Sequence, residues 1–132
     1  MTRFVIDADA ALRIVETGVE PAQAHTLLAP TLLRSQVLDV LYRRVRQGVL
    51  TEEAGLGLNQ RFAKLKIRYL GDAVLRRRAW ALAARAGMDG TANAEYLALT
   101  QLQGDALIAG SAELRGQAGG LVTLAPFEAL LT

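Results

Sequence analysis

The chain has no cysteine, which excludes a disulfide framework and any thiolate metal centre. No apolar run approaches the ~20 residues that a membrane-spanning helix requires, because charges interrupt every candidate stretch. The amino terminus has no charged-then-apolar leader either, so a cytoplasmic protein is expected. Aromatic residues make up only 5% of the chain, and a core must be built from Leu, Val, Ile and Ala, which the 52% hydrophobic content supplies. Neither sign of charge dominates: the net charge is +2 despite a pI near 9.4, so bulk charge does not announce a nucleic-acid binder. There is no internal repeat and no low-complexity linker, and 132 residues fit one domain spanning 1–132.

What is present is an alternation of short β-prone runs and helical patterns. Arg3-Phe4-Val5-Ile6 reads as a strand that stops at Asp7, and Ala10 to Val15 as helix until Gly18. A weakly helical stretch holding His25 precedes the strand-like Thr26-Leu27-Leu28-Ala29, closed by Pro30. Leu33, Val37, Val40, Leu41 and Val45 follow helical spacing, with Arg43, Arg44 and Arg46 in the last turn and Gly48 at the stop. Thr51, with Glu52 and Glu53 behind it, starts a further helix that Gly55 and Gly57 weaken. Leu65, Ile67 and Tyr69 alternate with Lys66 and Arg68 as a half-exposed strand does, and Asp72 caps the helix that carries Trp80. Thr91 is expected to cap the next helix. Strand-like Ala106 to Ala109, a short helix near Ala112 to Arg115 and a last strand Leu121 to Leu124 complete the pattern. Such alternation predicts an α/β fold with a mainly parallel sheet covered on both faces. Ligand sites in these sheets gather beyond the carboxyl ends of the strands, which singles out Asp7 and Gly110-Ser111.

Four segments together resemble the PIN-domain family, in particular the VapC toxins of toxin–antitoxin pairs. They are Phe4 to Leu12, Ala29 to Leu41, Ala92 to Leu99 and Ala106 to Leu114, in the family's order and spacing. The resemblance implies a PIN-like three-layer α/β/α fold with a mainly parallel central sheet. It also implies endoribonuclease chemistry, in which a cluster of acids holds Mg2+ or Mn2+, a homodimer, an antitoxin partner and an RNA substrate. Acids are needed because magnesium prefers charged oxygen ligands, and the bound ion lowers the pKa of an attacking water and neutralises charge on the phosphate.

Carried over residue by residue, the acidic pattern is mostly gone. Asp7 matches the first acid, but Gln36, Asn93 and Ser111 stand where the resemblance implies carboxylates. Amides preserve shape and an oxygen lone pair, yet bind magnesium far more weakly, and each lost charge costs roughly 1–3 kcal/mol of metal or transition-state binding. Asp7 is thus either a catalytic and metal-holding residue or a helix-capping aspartate. Asp9 is either a replacement metal ligand or a first-turn acid. Glu95 and Glu113 follow lost acids by two positions, a rotation of roughly 200° on a helix, which turns them away from the original face. Asp39, three residues beyond Gln36, reads best as a solvated or salt-bridged position. Gln36 aligns with Leu33 and Val40 and needs a hydrogen-bond partner, while Asn93 heads a row through Tyr96 and is expected to cap or brace the neighbouring strand.

His25 lacks a Ser or Cys and Asp pattern around it and reads as a packing or surface histidine. Three basic groups, Arg43-Arg44-Arg46, Arg61 to Arg68 and Arg76-Arg77-Arg78, suit either phosphates of RNA or solvated helix faces. Trp80 among alanines suits core or dimer packing better than base stacking. Two functions remain open: a weakened or inactive metal-dependent ribonuclease using Asp7 and Asp9, and a PIN-like binding and dimerisation module that needs no metal and engages an antitoxin-like partner or RNA.

Overall fold

The computed structural model describes all residues from Met1 to Thr132. The elements run β1 (Thr2–Ile6), α1 (Ala8–Thr17), β2 (His25–Pro30), α2 (Leu33–Arg46), α3 (Glu52–Ala63), β3 (Ile67–Leu70), α4 (Ala73–Ala86), α5 (Ala92–Leu102), β4 (Ala106–Ile108), α6 (Ala112–Ala118) and a terminal 3-10 turn, Phe127–Leu131. The four strands form one all-parallel sheet in the order β3-β2-β1-β4. Phe4, Val5 and Ile6 are buried in succession, as are Ala106, Leu107 and Ile108, because helices cover both faces of a parallel sheet and no alternate residue meets water. α5 is buried almost all round, from Ala94 and Tyr96 to Thr100, and is the innermost helix. No helix is long and apolar enough to cross a membrane.

The caps explain several boundaries. Asp7, Thr51 and Asp72 all have extended backbone and accept the N–H three residues on, from Ala10, Ala54 and Leu75. Thr91 does not cap α5. Its backbone is already helical (φ −102°, ψ −7°), which turns the hydroxyl away from the first free N–H groups. α3 continues through Gly55 and Gly57 for a packing reason: a Cβ at Gly55 would lie 2.8 Å from Val45 Cγ2, so glycine lets α3 press against α2.

Four other expectations fail in whole or in part. His25 is not helical but opens β2, opposite Thr2, because pairing with β1 outweighs weak local preference. The alternating strand starts at Ile67 instead of Leu65, whose N–H still closes the end of α3 on the Phe62 carbonyl. Leu121 to Leu124 makes only one bridge, Leu107 to Leu124, with Leu107 N–H donating to Thr123 and Ala125 N–H to Leu107. Pro126 has no N–H to extend that ladder and begins the 3-10 turn. Trp80 is not in the core: α4 buries Leu75, Ala79, Leu82 and Ala83, and leaves Trp80 72% exposed.

Candidate functional site

Parallel register sets Ile6 beside Ile108, so the chain leaves β1 and β4 at the same sheet edge and Asp7 meets Gly110 and Ser111. The Asp7 carboxylate is only 4% exposed. Its Oδ1 accepts from Ala10 N and Gly110 N, both at 2.9 Å, and its Oδ2 accepts from Ser111 N at 3.0 Å. The side chain therefore caps α1 and clasps the β4–α6 turn in one act. Gly110 permits this, because a Cβ there would lie 2.5 Å from Asp9 Cβ. Arg115 holds the turn from the other side, donating from one guanidinium nitrogen to the Ala109 and Gly110 carbonyls at 2.9 Å each.

The other positions singled out from the sequence converge here as well. A cavity of about 340 Å3 is lined by Asp7, Asp9, Gln36, Asp39, Asn93 and Ser111, together with Tyr96 and Arg43. Each neutral residue is already engaged. Gln36 Oε1 accepts the Tyr96 hydroxyl at 2.5 Å. Tyr96 is 1% exposed; burial, and then the charges of Asp7 and Glu95, push its phenol far above the usual range and keep it a donor. Asn93 Nδ2 donates to Gln117 Oε1 at 2.9 Å, so it braces α6 and not a strand. Ser111 Oγ accepts from Leu114 N at 3.2 Å and caps α6.

Of the acids, Asp39 pairs with Arg43 at 2.9 Å. Asp9 is solvent-exposed at the mouth; desolvation first, then the neighbouring Asp7, raises its carboxyl above the ordinary 3.8, with Arg44 and Arg115 opposing. Neither Glu95 nor Glu113 lines the cavity. Glu95 is raised by burial against the pull of Arg76, and Glu113 lies along a separate cleft with Asn93 and Gln117.

The donor set can be compared with what a resident Mg2+ or Mn2+ demands, roughly six oxygens with carboxylates prominent. No three acidic or histidine side chains come together as a metal group. A carboxylate offers about four lone-pair directions, and backbone N–H groups occupy three of those of Asp7. Asp9 alone keeps a free carboxylate, and this set does not fit a resident divalent ion. Tyr96 and Arg115 were not identified from sequence as parts of the site, whereas Gly110 was. Tyr96 alone had a signal, lying three residues from Asn93 on a helix facing a Gln36 that needed a partner.

No family model matches the sequence, and no curated protein matches it. Solved structures do. PAE2754 from Pyrobaculum aerophilum superposes with a TM-score of 0.77 at 18% identity, over 98% of this chain and 93% of that one. Mycobacterium tuberculosis VapC20, described as a sarcin-ricin loop cleaving toxin, gives 0.63 at 16% identity, over 93% and 99%. The fold is the PIN-like fold of the VapC toxins. Rickettsia felis VapBC2, bound to a DNA fragment from its promoter, gives 0.62 at 7% identity, over 94% of this chain and 98% of that chain. At these identities the likeness carries the PIN-like fold alone.

Proposed function

We propose that this chain is a VapC-like PIN-fold protein whose acidic pocket has become a structural junction, and that it works as a non-catalytic module binding an antitoxin-like protein. The observation that carries the reading is the saturation of Asp7 by three backbone N–H groups, with Gln36, Asn93 and Ser111 each committed to a neighbour. Support for the partner comes from the likeness to a VapBC complex. It also comes from an apolar groove of about 640 Å3 lined by Leu38, Phe62, Leu65, Ile67 and Tyr69, with Leu38 51% exposed. A homodimer is part of the same proposal, checked by light scattering on the purified chain.

A thermal-shift titration with Mn2+ and Mg2+ tests the pocket, because an ion bound only by the native state must raise the melting temperature. No rise is expected, and RNA incubated with Mn2+ stays intact. A second reading, a residual metal-dependent ribonuclease, is favoured by one observation: the raised carboxyl of Asp9 beside Asp7, a like-charge pair that a cation would relieve. A manganese-dependent rise and RNA cleavage that both vanish in Asp9→Asn would establish that reading and end the first. The partner is tested by co-expression with any small antitoxin-like protein encoded beside this chain: failure to co-purify refutes the antitoxin assignment and leaves the pocket reading intact.

A further inference from the structure

α4 presents an outward face that neither the core nor the Asp7 pocket uses. Its 14 residues carry Arg76, Arg77, Arg78 and Arg85 and no acid, while the whole chain is only +2, so the remainder of the molecule sums to a net negative charge. All four arginines are exposed and none is in an ion pair. Arg76 spends one donor on the Gly71 carbonyl and acts on the Glu95 carboxylate, and Arg78 donates to Gln101 Oε1. Arg77 and Arg85 form no hydrogen bond. Among them stands Trp80, the only tryptophan of the chain, 72% exposed. It follows Arg76 and Arg77 by one helical turn and precedes Ala84 by another, so small residues leave its ring open.

Three occupants are conceivable for such a face, and charge separates them. A second copy docking α4 on α4 would set four guanidiniums against four, a like-charge juxtaposition that opposes association. A lipid surface needs a broad apolar stripe, but Leu75, Ala79, Leu82 and Ala83 are committed to the core. A single-stranded polynucleotide needs what is there: cations for phosphates and an open aromatic ring on which a base stacks. From Arg76 to Arg85 the helix extends about 13 Å, enough to engage successive nucleotides. We infer that the outward side of α4, with Arg77 and Trp80 at its middle and Arg76 and Arg85 on its two flanks, is a docking surface for single-stranded RNA, separate from the Asp7 pocket and independent of any metal there.

The test uses the full chain, a 12-mer of uridine and EDTA throughout. Trp80 fluorescence is quenched as the RNA is added, since a stacked base touches the only indole. Trp80→Ala, an exposed substitution whose melting curve should match the parent, weakens binding measured by anisotropy about 5- to 100-fold. Arg77→Ala with Arg85→Ala flattens the dependence of log Kd on log salt by about 0.7 for each phosphate the variant no longer neutralises. Absence of quenching, or equal affinity of Trp80→Ala, overturns the assignment. So does equal quenching by a glutamate 12-mer, which would mark an acidic-peptide site, or by anionic vesicles. Loss of a dimer in Trp80→Ala would make the face a self-association surface and overturn it too.

Discussion

Substituting Asp7 by Asn separates a structural clasp from a metal-binding acid by the sign of one measurement. The amide retains one acceptor oxygen. Its best placement sets that oxygen where Oδ1 receives Ala10 N and Gly110 N, leaving the amide nitrogen against Ser111 N, donor facing donor. The bond to Ser111 is lost, at about 1.5–3 kcal/mol for a hydrogen bond to a charged group, and the other two fall from charge-assisted to neutral strength. Allowing for non-additivity, a net loss of about 3 kcal/mol is expected, a large share of the roughly 5–15 kcal/mol that holds a domain together. At about 4 °C per kcal/mol for a chain of this length, the melting temperature falls by about 12 °C. The assay is thermal and urea unfolding followed by circular dichroism in EDTA. An acid kept for a metal would behave oppositely. Without its ion it only repels Asp9, and removing its charge would leave stability unchanged or raise it. An Asp7→Asn variant as stable as the parent in EDTA would therefore refute the clasp.

Three further outcomes follow from the same geometry. Both ring nitrogens of His25 are buried without a partner, and its ring meets Phe4 edge-on at 5.0 Å; His25→Phe keeps that packing, removes the orphaned polar atoms and should raise stability by about 1–2 kcal/mol in urea titrations. Because the Asp9 carboxyl is raised in the folded state, its contribution is full below the unfolded value near 3.8 and is lost as pH rises through the folded value. Asp9→Asn is accordingly more stable than the parent at pH 7, and the gap closes as the buffer is taken below pH 4; a gap that widens in acid would contradict the shift. Gly110→Ala brings a methyl within 2.5 Å of Asp9 Cβ and 3.1 Å of Ala10 N, and is expected to destabilise by about 1–3 kcal/mol, seen as a lower urea midpoint with an unchanged slope.

What could be read from the residues was whatever local chemistry decides. Periodicity located β1, α2 and α4, and the caps at Asp7, Thr51 and Asp72 needed only a short polar side chain before a helical run. The meeting of Asp7 with Ser111 was legible too, because parallel strands deliver their carboxyl ends to one edge, while that of Gln36 and Asn93 with them was implied by the family resemblance alone. The partners of these residues were not. The Tyr96 hydroxyl reaches Gln36 across 60 positions, and Gly110 N–H reaches Asp7 across 103, pairings that no local pattern encodes. His25 and the Leu121 to Leu124 segment failed for the same reason in reverse: pairing partners available, or lacking, elsewhere decided their conformation. The core half of the Trp80 expectation failed because alanine neighbours at helical spacing do not say which side of α4 turns inward.

The clasp at Asp7 also bears on which charges such a pocket can shed. Gln36 and Ser111 each accept a single hydrogen bond, which an amide or a hydroxyl does as well as a carboxylate, and Asn93 donates one to Gln117, which an ionised carboxylate could not. Where Asp7 stands, three amide protons converge on two oxygens, and among natural side chains of that length only an acceptor-only group answers all of them. Neutral residues can enter the first three places with the scaffold undisturbed, whereas the fourth needs its negative charge for the clasp itself, so its presence alone is no measure of catalysis.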